Sequence, residues 1–372
     1  MHFRYGIEHE LAILRGGDVP AFADFTDLGF GELQAVVDAL PEDPADYPDL
    51  RVGDQGIKRK RWYVEGYERF DDAGELVRCD PKGLEVRTRI HDSVEAAVAA
   101  LGADVDLLAA ELGRRGLATC AIGFNPLRSE YVIDPPLGEW ERAHRIGSPE
   151  ERTAHLHMVT YGPDLNLSAE GLDLLDAARK LTHYSPWLVP LSFSSPFRDG
   201  APWGGLSART HLRTGARPAA LAFLGPDAAQ IASDPSLTQP ARLPAEIGRL
   251  EFKAFDAIGD LTLYGELLSL LTGLVLDQTL PGRRTTPDAA AHRHVATVGL
   301  ADDAVHRETG ALLTAAEAAL AERPADLARM AGLRARWTRG ECAASVMLAA
   351  HAAGASVAEV IAASATRPRR SP

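Results

Sequence analysis

Charged and apolar residues alternate along the first strand-like stretch of the chain. Residues 3–14 read FRYGIEHELAIL, and this period of two, together with many strand-forming residues, predicts a β-strand. Successive side chains of a strand point to opposite faces, so Glu8 and Glu10 share one face and lie about 7 Å apart. Two neighbouring carboxylates repel each other, and a hard cation such as Mg²⁺ relieves the repulsion. The alternative is a solvated strand face on which two acids happen to alternate.

Three later segments repeat the alternation, and each is predicted as a strand with one apolar and one polar face. They are residues 84–90, with Glu85, Arg87 and Arg89 on the polar face, residues 249–255, with Arg249, Glu251 and Lys253, and residues 155–159, with His155 and His157. We hypothesise that these strands and the first one join a single sheet. Its polar face would then present Glu8, Glu10, Glu85, Glu251 and His157, interleaved with Arg87, Arg249 and Lys253.

Such a face suits a polyphosphate bound through divalent metal ions. Carboxylates hold the metals, the metals bridge the phosphates, and cationic side chains neutralise the remaining charge. The predicted metal ligands are Glu8, Glu10, Glu85, His157 and Glu251, whereas His155 is more readily explained as a structural residue. Glu65 and Glu68, in a predicted hairpin beside the Glu85 strand, also stand near the site, but solvent exposure is the favoured interpretation of both.

Helical spacing of apolar residues fills much of the remaining chain. It predicts helices over residues 92–115, from Ser168 to Pro186 and over residues 260–278, followed by Ala-rich helices beyond residue 300. Residues 191–213, dense in Ser, Gly and Arg, are predicted as a loop that carries function. We therefore expect an α+β fold with a mainly antiparallel sheet, helices on one face and the site on the other.

Composition narrows the class of protein. The net charge of −13 argues against a nucleic-acid partner, because phosphate backbones require a basic surface. Three cysteines without a CxxC spacing predict neither a disulfide framework nor a zinc site. The chain enters a strand almost at once and has no apolar run long enough for a bilayer, so we expect no signal peptide, no membrane partner and a cytoplasmic location.

Several short motifs, in this order along the chain, resemble those of the glutamate–cysteine ligase type 2 family, the bacterial carboxylate–amine ligases. Gly6-Ile7-Glu8-His9-Glu10 resembles the family's G-(V/I)-E-x-E opening, and His155-Leu156-His157 resembles its H-x-H strand. The segment LSFSSPFRDG at 191–200, the Ser207-Ala208-Arg209 triplet and the strand RLEFKAFDA at 249–257 resemble the later motifs. The resemblance covers roughly residues 3–300, and residues 1–300 are expected to form the catalytic domain. Residues 301–372 are expected to form a helical C-terminal extension packed on it, ending in a short disordered tail.

The resemblance implies a glutamine-synthetase-like catalytic fold and ATP-dependent amide bond formation through an acyl phosphate. It implies ATP and Mg²⁺ as cofactors, and a small-molecule carboxylate (an amino acid) and an amine as substrates, with homo-oligomer formation left open. The residues expected to be catalytic are Arg209, Glu251 and Lys253, and those expected to bind the nucleotide are Arg87, Arg209, Arg249 and Lys253. One position departs from the family: its arginine is Lys253 here, which keeps the charge but loses the planar bidentate fork.

Two other functions fit the same residues. The carboxylate cluster could activate water and hydrolyse an amide without ATP. A degenerate, non-catalytic family member serving as a partner subunit is the third possibility, for which Lys253 is the sequence hint. The chain has no G-x-S-x-G, G-x-x-x-x-G-K or G-x-G-x-x-G motif, so a serine triad, a P-loop and a dinucleotide fingerprint do not compete.

Overall fold

A long first strand runs through the centre of the fold. The computed structural model describes residues 1–50, 60–147, 149–213 and 215–366, so most of the predicted C-terminal tail, residues 367–372, lies outside the described residues. The strands are β1 (Phe3–Arg15), β2 (Ala21–Ala23), β3 (Trp62–Phe70), β4 (Leu76–Arg87), β5 (Leu117–Cys120), β6 (Pro163–Ala169), β7 (Phe197–Arg198), β8 (Ala201–Pro202), β9 (Ala220–Leu224), β10 (Thr238–Pro240), β11 (Arg249–Phe252) and β12 (Ala365–Thr366).

The main sheet has the strand order β10-β9-β11-β6-β1-β4-β3. Its pairs are antiparallel except for β9 with β10, so the predicted mainly antiparallel sheet is confirmed. The far half of β1 leaves this path and pairs with β2 and β5, and β12 pairs with β5. Strand β1 thus belongs to two groups of strands, which explains its length.

Helices lie on both faces of the sheet, and the longest ones cover its apolar face. They are α1 (Phe30–Ala39), α2 (Val94–Gly113), α3 (Glu139–Arg145), α4 (Pro149–Arg152), α5 (Ala154–His157), α6 (Leu174–Leu188), α7 (Ala208–Arg213), α8 (Gln230–Ser233), α9 (Leu261–Leu276), α10 (Ala289–Val298), α11 (Asp303–Ala319), α12 (Pro324–Arg339), α13 (Ala343–Ala352) and α14 (Val357–Ala363). Short 3-10 helices span Pro44–Asp46, Val189–Ser192, Pro244–Glu246 and Gly299–Ala301.

Helix α9 is the centre of the apolar layer. Its sequence, LTLYGELLSLLTGLVL, is apolar on nearly every side, and all but its first two and last residues are buried. A helix that is hydrophobic all round is normally buried on all sides. Here α9 is enclosed by α2, α6, α11 and α12, and its apolar residues share one core with those of β1.

The structure corrects several predicted elements. Residues 155–159 do not form a strand: residues 155–157 belong to the short helix α5, and residues 158–159 form the turn after it. The strand that pairs with β1 is β6. Ser168 lies inside β6, so the next helix begins after Asp173, whose side chain caps it. The segment predicted as a loop at 191–213 contains the β7–β8 hairpin and α7. The helix predicted over 92–115 is confirmed as α2, capped by Ser93.

Among the residues that the structure describes, none of the helices combines the length and the apolar composition needed to cross a bilayer.

Candidate functional site

The polar face of the sheet forms the floor of a cleft with a volume of about 570 Å³. Its centre is lined by side chains of β1, β6 and β11, and its rim by residues of β3, α3, β10 and the segment after β4. The charged or polar residues at the centre are Glu8, Asp164, Asn166, Arg249, Glu251 and Lys253, with Glu65, Arg87 and His157 beside them. The predicted convergence of three of the four segments on one face is therefore correct.

The strand register brings three carboxylates together. Glu8 of β1 lies directly opposite Asp164 of β6, and Glu251 of β11 lies opposite Asn166 of β6. Lys253 Nζ donates to Glu251 Oε1 and to Asp164 Oδ2, both at 2.5 Å. Lys253, the residue just after β11, thus neutralises carboxylates that belong to two adjacent strands.

Arg249 is the second cation of this centre. One guanidinium nitrogen lies 3.1 Å from Glu251 Oε2, and another lies 3.5 Å from Glu8 Oε1. The guanidinium also stacks over the Phe223 ring, 3.8 Å from its centroid. Burial opposes the charge of Arg249, but Glu251 and Glu8 raise its pKa above the ordinary value, so the side chain stays cationic.

Glu251 experiences opposing influences. It is 3% exposed, and burial raises its pKa to about 7 although Lys253 and Arg249 favour the charged form. The negative charges of Asp164 and Glu8 act in the same direction as burial. A bound cation would therefore favour the ionised form of this crowded carboxylate.

The donor chemistry of this centre fits a magnesium ion. Glu8, Asp164 and Glu251 supply carboxylate oxygens, the ligands that Mg²⁺ prefers. Asn166 is buried between them, and its Oδ1 accepts no hydrogen bond from the described part of the chain. An amide oxygen that is buried without a donor is a further candidate ligand.

A second group contains the side chains of Glu10, Glu65 and His157. One ligand atom from each lies within 4.8 Å of the others, close enough to hold a metal ion. His157 Nε2 lies 2.7 Å from Glu65 Oε1, and Nδ1 lies 3.4 Å from Glu10 Oε1. The group also contains the ammonium of Lys82, 2.7 Å from Glu10 Oε1. Burial works against ionisation of Glu10, but Lys82 and His157 lower its pKa below the ordinary value.

Two of the predicted residues lie at the edge of this second group. Glu85 pairs with Glu10 across β1 and β4, is 5% exposed, and does not belong to the described residues that line the cleft. Arg87 does line the cleft, and its guanidinium stacks on Tyr63 at 5.1 Å from the ring centroid. The structure therefore brings Glu85 beside the site and Arg87 into its wall.

Arg209 lies behind the cleft rather than in it. It is 3% exposed, and its guanidinium donates to the carbonyl oxygens of Lys253 and Ala254, both at 2.8 Å. These bonds hold the chain just after β11, which carries Glu251. Its predicted contact with a phosphate stays a prediction.

Asp256 organises the Ser-rich segment around Arg209. Its carboxylate accepts from the hydroxyls of Ser195 and Ser207, at 2.6 and 2.9 Å, and from the Ser194 amide at 3.0 Å. All four residues are buried. The Ser-rich motif and the triplet before α7 therefore support the cleft floor from behind, because their hydroxyls satisfy one buried carboxylate.

Sequence reasoning missed four residues of the site. Asp164 and Asn166 alternate with Leu165 and Leu167 in β6, a signal that was available in the sequence. Lys82 follows a proline within a strand. A proline there indicates an irregular strand and does not by itself indicate a site. Glu65, for which exposure was favoured, is 6% exposed and faces the cleft, so that interpretation is wrong.

Comparison with known proteins identifies similar chains. A family model described as glutamate–cysteine ligase family 2 matches residues 4–232, more than half of the chain. The curated glutamate–cysteine ligase EgtA of Mycolicibacterium smegmatis is 29% identical over 143 residues, which are 37% of this chain and 34% of that protein. The match thus spans about a third of the length of that relative.

Solved structures resemble nearly the whole chain. A bifunctional glutathione synthetase from Pasteurella multocida aligns with a TM-score of 0.57 and 12% identity, over 98% of this chain and 52% of its own. A glutamate–cysteine ligase from Francisella tularensis, solved with AMP, aligns with a TM-score of 0.56 and 12% identity, over 98% of this chain and 87% of its own. These similarities establish the fold, and the expected glutamine-synthetase-like catalytic fold is confirmed.

Proposed function

Because the chain belongs to the glutamate–cysteine ligase family 2, we propose that it is an ATP-dependent carboxylate–amine ligase that forms an amide bond. Its substrates are an amino acid that supplies the carboxylate and a small molecule that supplies the amine. The observation that carries the proposal is the cleft floor, where Glu8, Asp164 and Glu251 meet Arg249 and Lys253. A neighbour of the same fold that was solved with AMP supports nucleotide use.

The reaction has two balanced steps. An oxygen of the substrate carboxylate attacks the γ-phosphorus of ATP, which forms an acyl phosphate and releases ADP. The amine nitrogen then attacks the acyl carbon, and the carbon–oxygen bond to phosphate breaks, which releases inorganic phosphate and the proton lost by the amine. No side chain acts as nucleophile, so the protein contributes positioning and charge neutralisation.

The residues of the cleft floor have two proposed roles, metal binding and neutralisation of phosphate charge. Glu8, Asp164 and Glu251, with Asn166, would hold Mg²⁺, which when bound supplies charge neutralisation for the phosphates. Arg249 and Lys253 would neutralise phosphate oxygens, and both already lie beside the carboxylates.

Further predicted residues surround the cleft floor. Arg87, in the cleft wall, would contact the nucleotide, and Arg209 would hold the segment after β11 in place. The predicted metal ligands Glu10, Glu85 and His157 lie in or beside the second group, and their contact with metal stays a prediction.

An oxygen-transfer experiment tests the reaction. The protein is incubated with Mg²⁺, ATP, amines and a panel of ¹⁸O-carboxylate amino acids, and the released phosphate is analysed by mass spectrometry. We expect one ¹⁸O atom per phosphate, and phosphate release that requires both an acid and an amine. Phosphate without label under turnover contradicts the acyl phosphate, and ATP-independent amide cleavage would instead support the hydrolase.

A matched pair of variants tests the site. Glu251→Gln removes a carboxylate that could bind metal from the cleft floor, so turnover should fall by at least about 100-fold, the scale of losing one preorganised group. Glu170→Gln makes the same chemical change at an exposed position after β6 and should leave turnover unchanged. Equal turnover of the two variants would contradict the proposed role of the cleft floor.

A further inference from the structure

The ammonium of Lys82 is enclosed by protein. The residue is 0% exposed, although lysine is among the residues least often buried completely. Its Nζ lies 2.7 Å from Glu10 Oε1, 2.9 Å from the His157 carbonyl oxygen and 2.8 Å from the Thr160 carbonyl oxygen. The Tyr161 ring centroid lies 5.1 Å from the same nitrogen. Three protons therefore meet three oxygens, and His157 Nδ1 lies 3.1 Å from the same nitrogen as a fourth contact. These partners fully satisfy a charged ammonium.

The dimensions of this enclosure suit an ammonium. Distances of 2.7–2.9 Å from Nζ to the three oxygens are those of charged hydrogen bonds. A magnesium ion at the same point would need its oxygens at about 2.0–2.1 Å. The two carbonyl oxygens belong to the main chain, one at the last residue of α5 and one three residues later, so both would have to move together with Glu10.

An irregularity in the strands directs Lys82 to this point. The pairing of β3 with β4 shifts between Glu65, opposite Gly83, and Gly66, opposite Pro81, which leaves Lys82 as the extra residue of a β-bulge. A Cβ atom on Gly83 would lie 2.2 Å from the Leu11 carbonyl oxygen, and β1 therefore approaches the bulge closely. Bulges re-aim side chains and often lie next to active sites.

We propose that the Lys82 ammonium is a built-in cation that takes the place of a divalent metal ion in the group of Glu10, Glu65 and His157. Divalent metal binding in the cleft is then confined to the centre of Glu8, Asp164 and Glu251. Glu10 remains ionised and is held from both sides, because its Oε2 accepts from the Gly162 amide at 2.6 Å. The inference rests on the proposed function only for the assumption that the cleft binds divalent metal.

Counting bound manganese tests this inference. The wild type and Lys82→Met are titrated with Mn²⁺, and free Mn²⁺ is measured by electron paramagnetic resonance, so no turnover is needed. We expect Lys82→Met to bind one more Mn²⁺ per chain than the wild type, and the added Glu10→Gln substitution to remove that ion. Lys180→Met is the matched control, since Lys180 is also buried but contacts carbonyl oxygens on the opposite side of the sheet layer, at Leu274 and Asp277. It should leave the count unchanged.

Two results would overturn the inference. One is a Lys82→Met variant that is folded by circular dichroism and gains no Mn²⁺. The other is a wild-type background in which Glu10→Gln loses one Mn²⁺, since that ion would already occupy the group. The second comparison does not require Lys82→Met to fold, so a misfolded variant still leaves the inference open to refutation.

The counts also separate this inference from the proposed function. A gain of one Mn²⁺ in Lys82→Met, with no ATP cleavage by the wild type, would uphold the built-in cation and contradict the ligase. Labelled phosphate from the wild type, with a loss of Mn²⁺ in Glu10→Gln, would uphold the ligase and contradict the built-in cation.

Discussion

Glu251 shows how one buried carboxylate can respond to its surroundings. Two cations lie within 3.1 Å of its oxygens, yet burial raises its pKa to about 7. Its ordinary pKa is 4.5, so the metal-free folded protein keeps a proton that the unfolded chain loses between pH 4.5 and 7. The stability of the metal-free protein therefore falls as the pH rises through this window.

The affinity for a divalent metal ion should instead increase as the pH rises. A divalent ion has to displace the proton of Glu251, so below pH 7 we expect the affinity for Mn²⁺ to fall about tenfold per pH unit. Calorimetric titrations at pH 6, 7 and 8 measure this dependence. Glu251→Gln, which has no proton to displace, should bind more weakly and with a flatter pH dependence. An affinity that is constant from pH 6 to 8 in the wild type would contradict the role of Glu251 as a ligand.

At the scale of elements, the β3–β4 hairpin determines that the Lys82 side chain lies in the second group. Strict alternation along β4 would place Lys82 with Leu84 and Val86 on the apolar face, but the bulge turns it to the polar side. The bulge depends on two glycines that allow close approach of the main chains, Gly66 to the Asp80 carbonyl and Gly83 to that of Leu11.

Replacing one of these glycines should therefore destabilise the protein. Gly83→Ala places a Cβ 2.2 Å from the Leu11 carbonyl oxygen, and we expect the free energy of unfolding to fall by about 1–3 kcal/mol, the usual cost of overpacking. Gly113→Ala is the control, since its Cβ meets no atom within 4 Å at the end of α2. It should raise the stability by at most about 1 kcal/mol, because alanine is the better helix former. Urea denaturation measures both, and equal values would refute the close approach.

At the scale of the whole molecule, the residues beyond 300 belong to the same core as the sheet. Leu312, Leu313 and Leu333, from α11 and α12, lie in the core that also contains Ile7 of β1. The Arg323 guanidinium stacks on Phe3, and β12 adds a strand beside β5. The expected division at residue 300 stays a prediction, and we propose that residues 303–366 are needed to cover α9.

Truncation tests this proposal. A chain ending at residue 302 would expose the α9 surfaces that α11 and α12 cover, so we expect aggregation or loss of a cooperative thermal transition. Circular dichroism and size-exclusion chromatography report both. Co-expression of residues 1–302 with 303–372 should restore a soluble complex. A soluble 1–302 fragment that melts cooperatively would show that the C-terminal helices are dispensable.

Strand alternation predicted the fold class and much of the site. It placed Glu8, Arg249 and Glu251 on the polar face correctly, because each lies on a regular strand where the period of two decides the face. Lys253, the residue after β11, lines the same cleft. It failed at His155, where two histidines two residues apart look like a strand but lie in a short helix. So short a segment can belong to a strand or to a helix, and only the presence or absence of pairing with β1 distinguishes the two structures.

Local sequence therefore determined most of the elements, the polar faces of the regular strands and the kind of chemistry that those faces carry. The tertiary structure decided which faces meet. Register and packing between segments far apart in the chain decide three features of the site. They place Glu8 opposite Asp164, turn Lys82 toward Glu10 through the bulge, and place Arg209 behind the cleft floor. These contacts are set by the burial of the whole sheet and its helices, because a shift of one residue would exchange the polar and apolar faces.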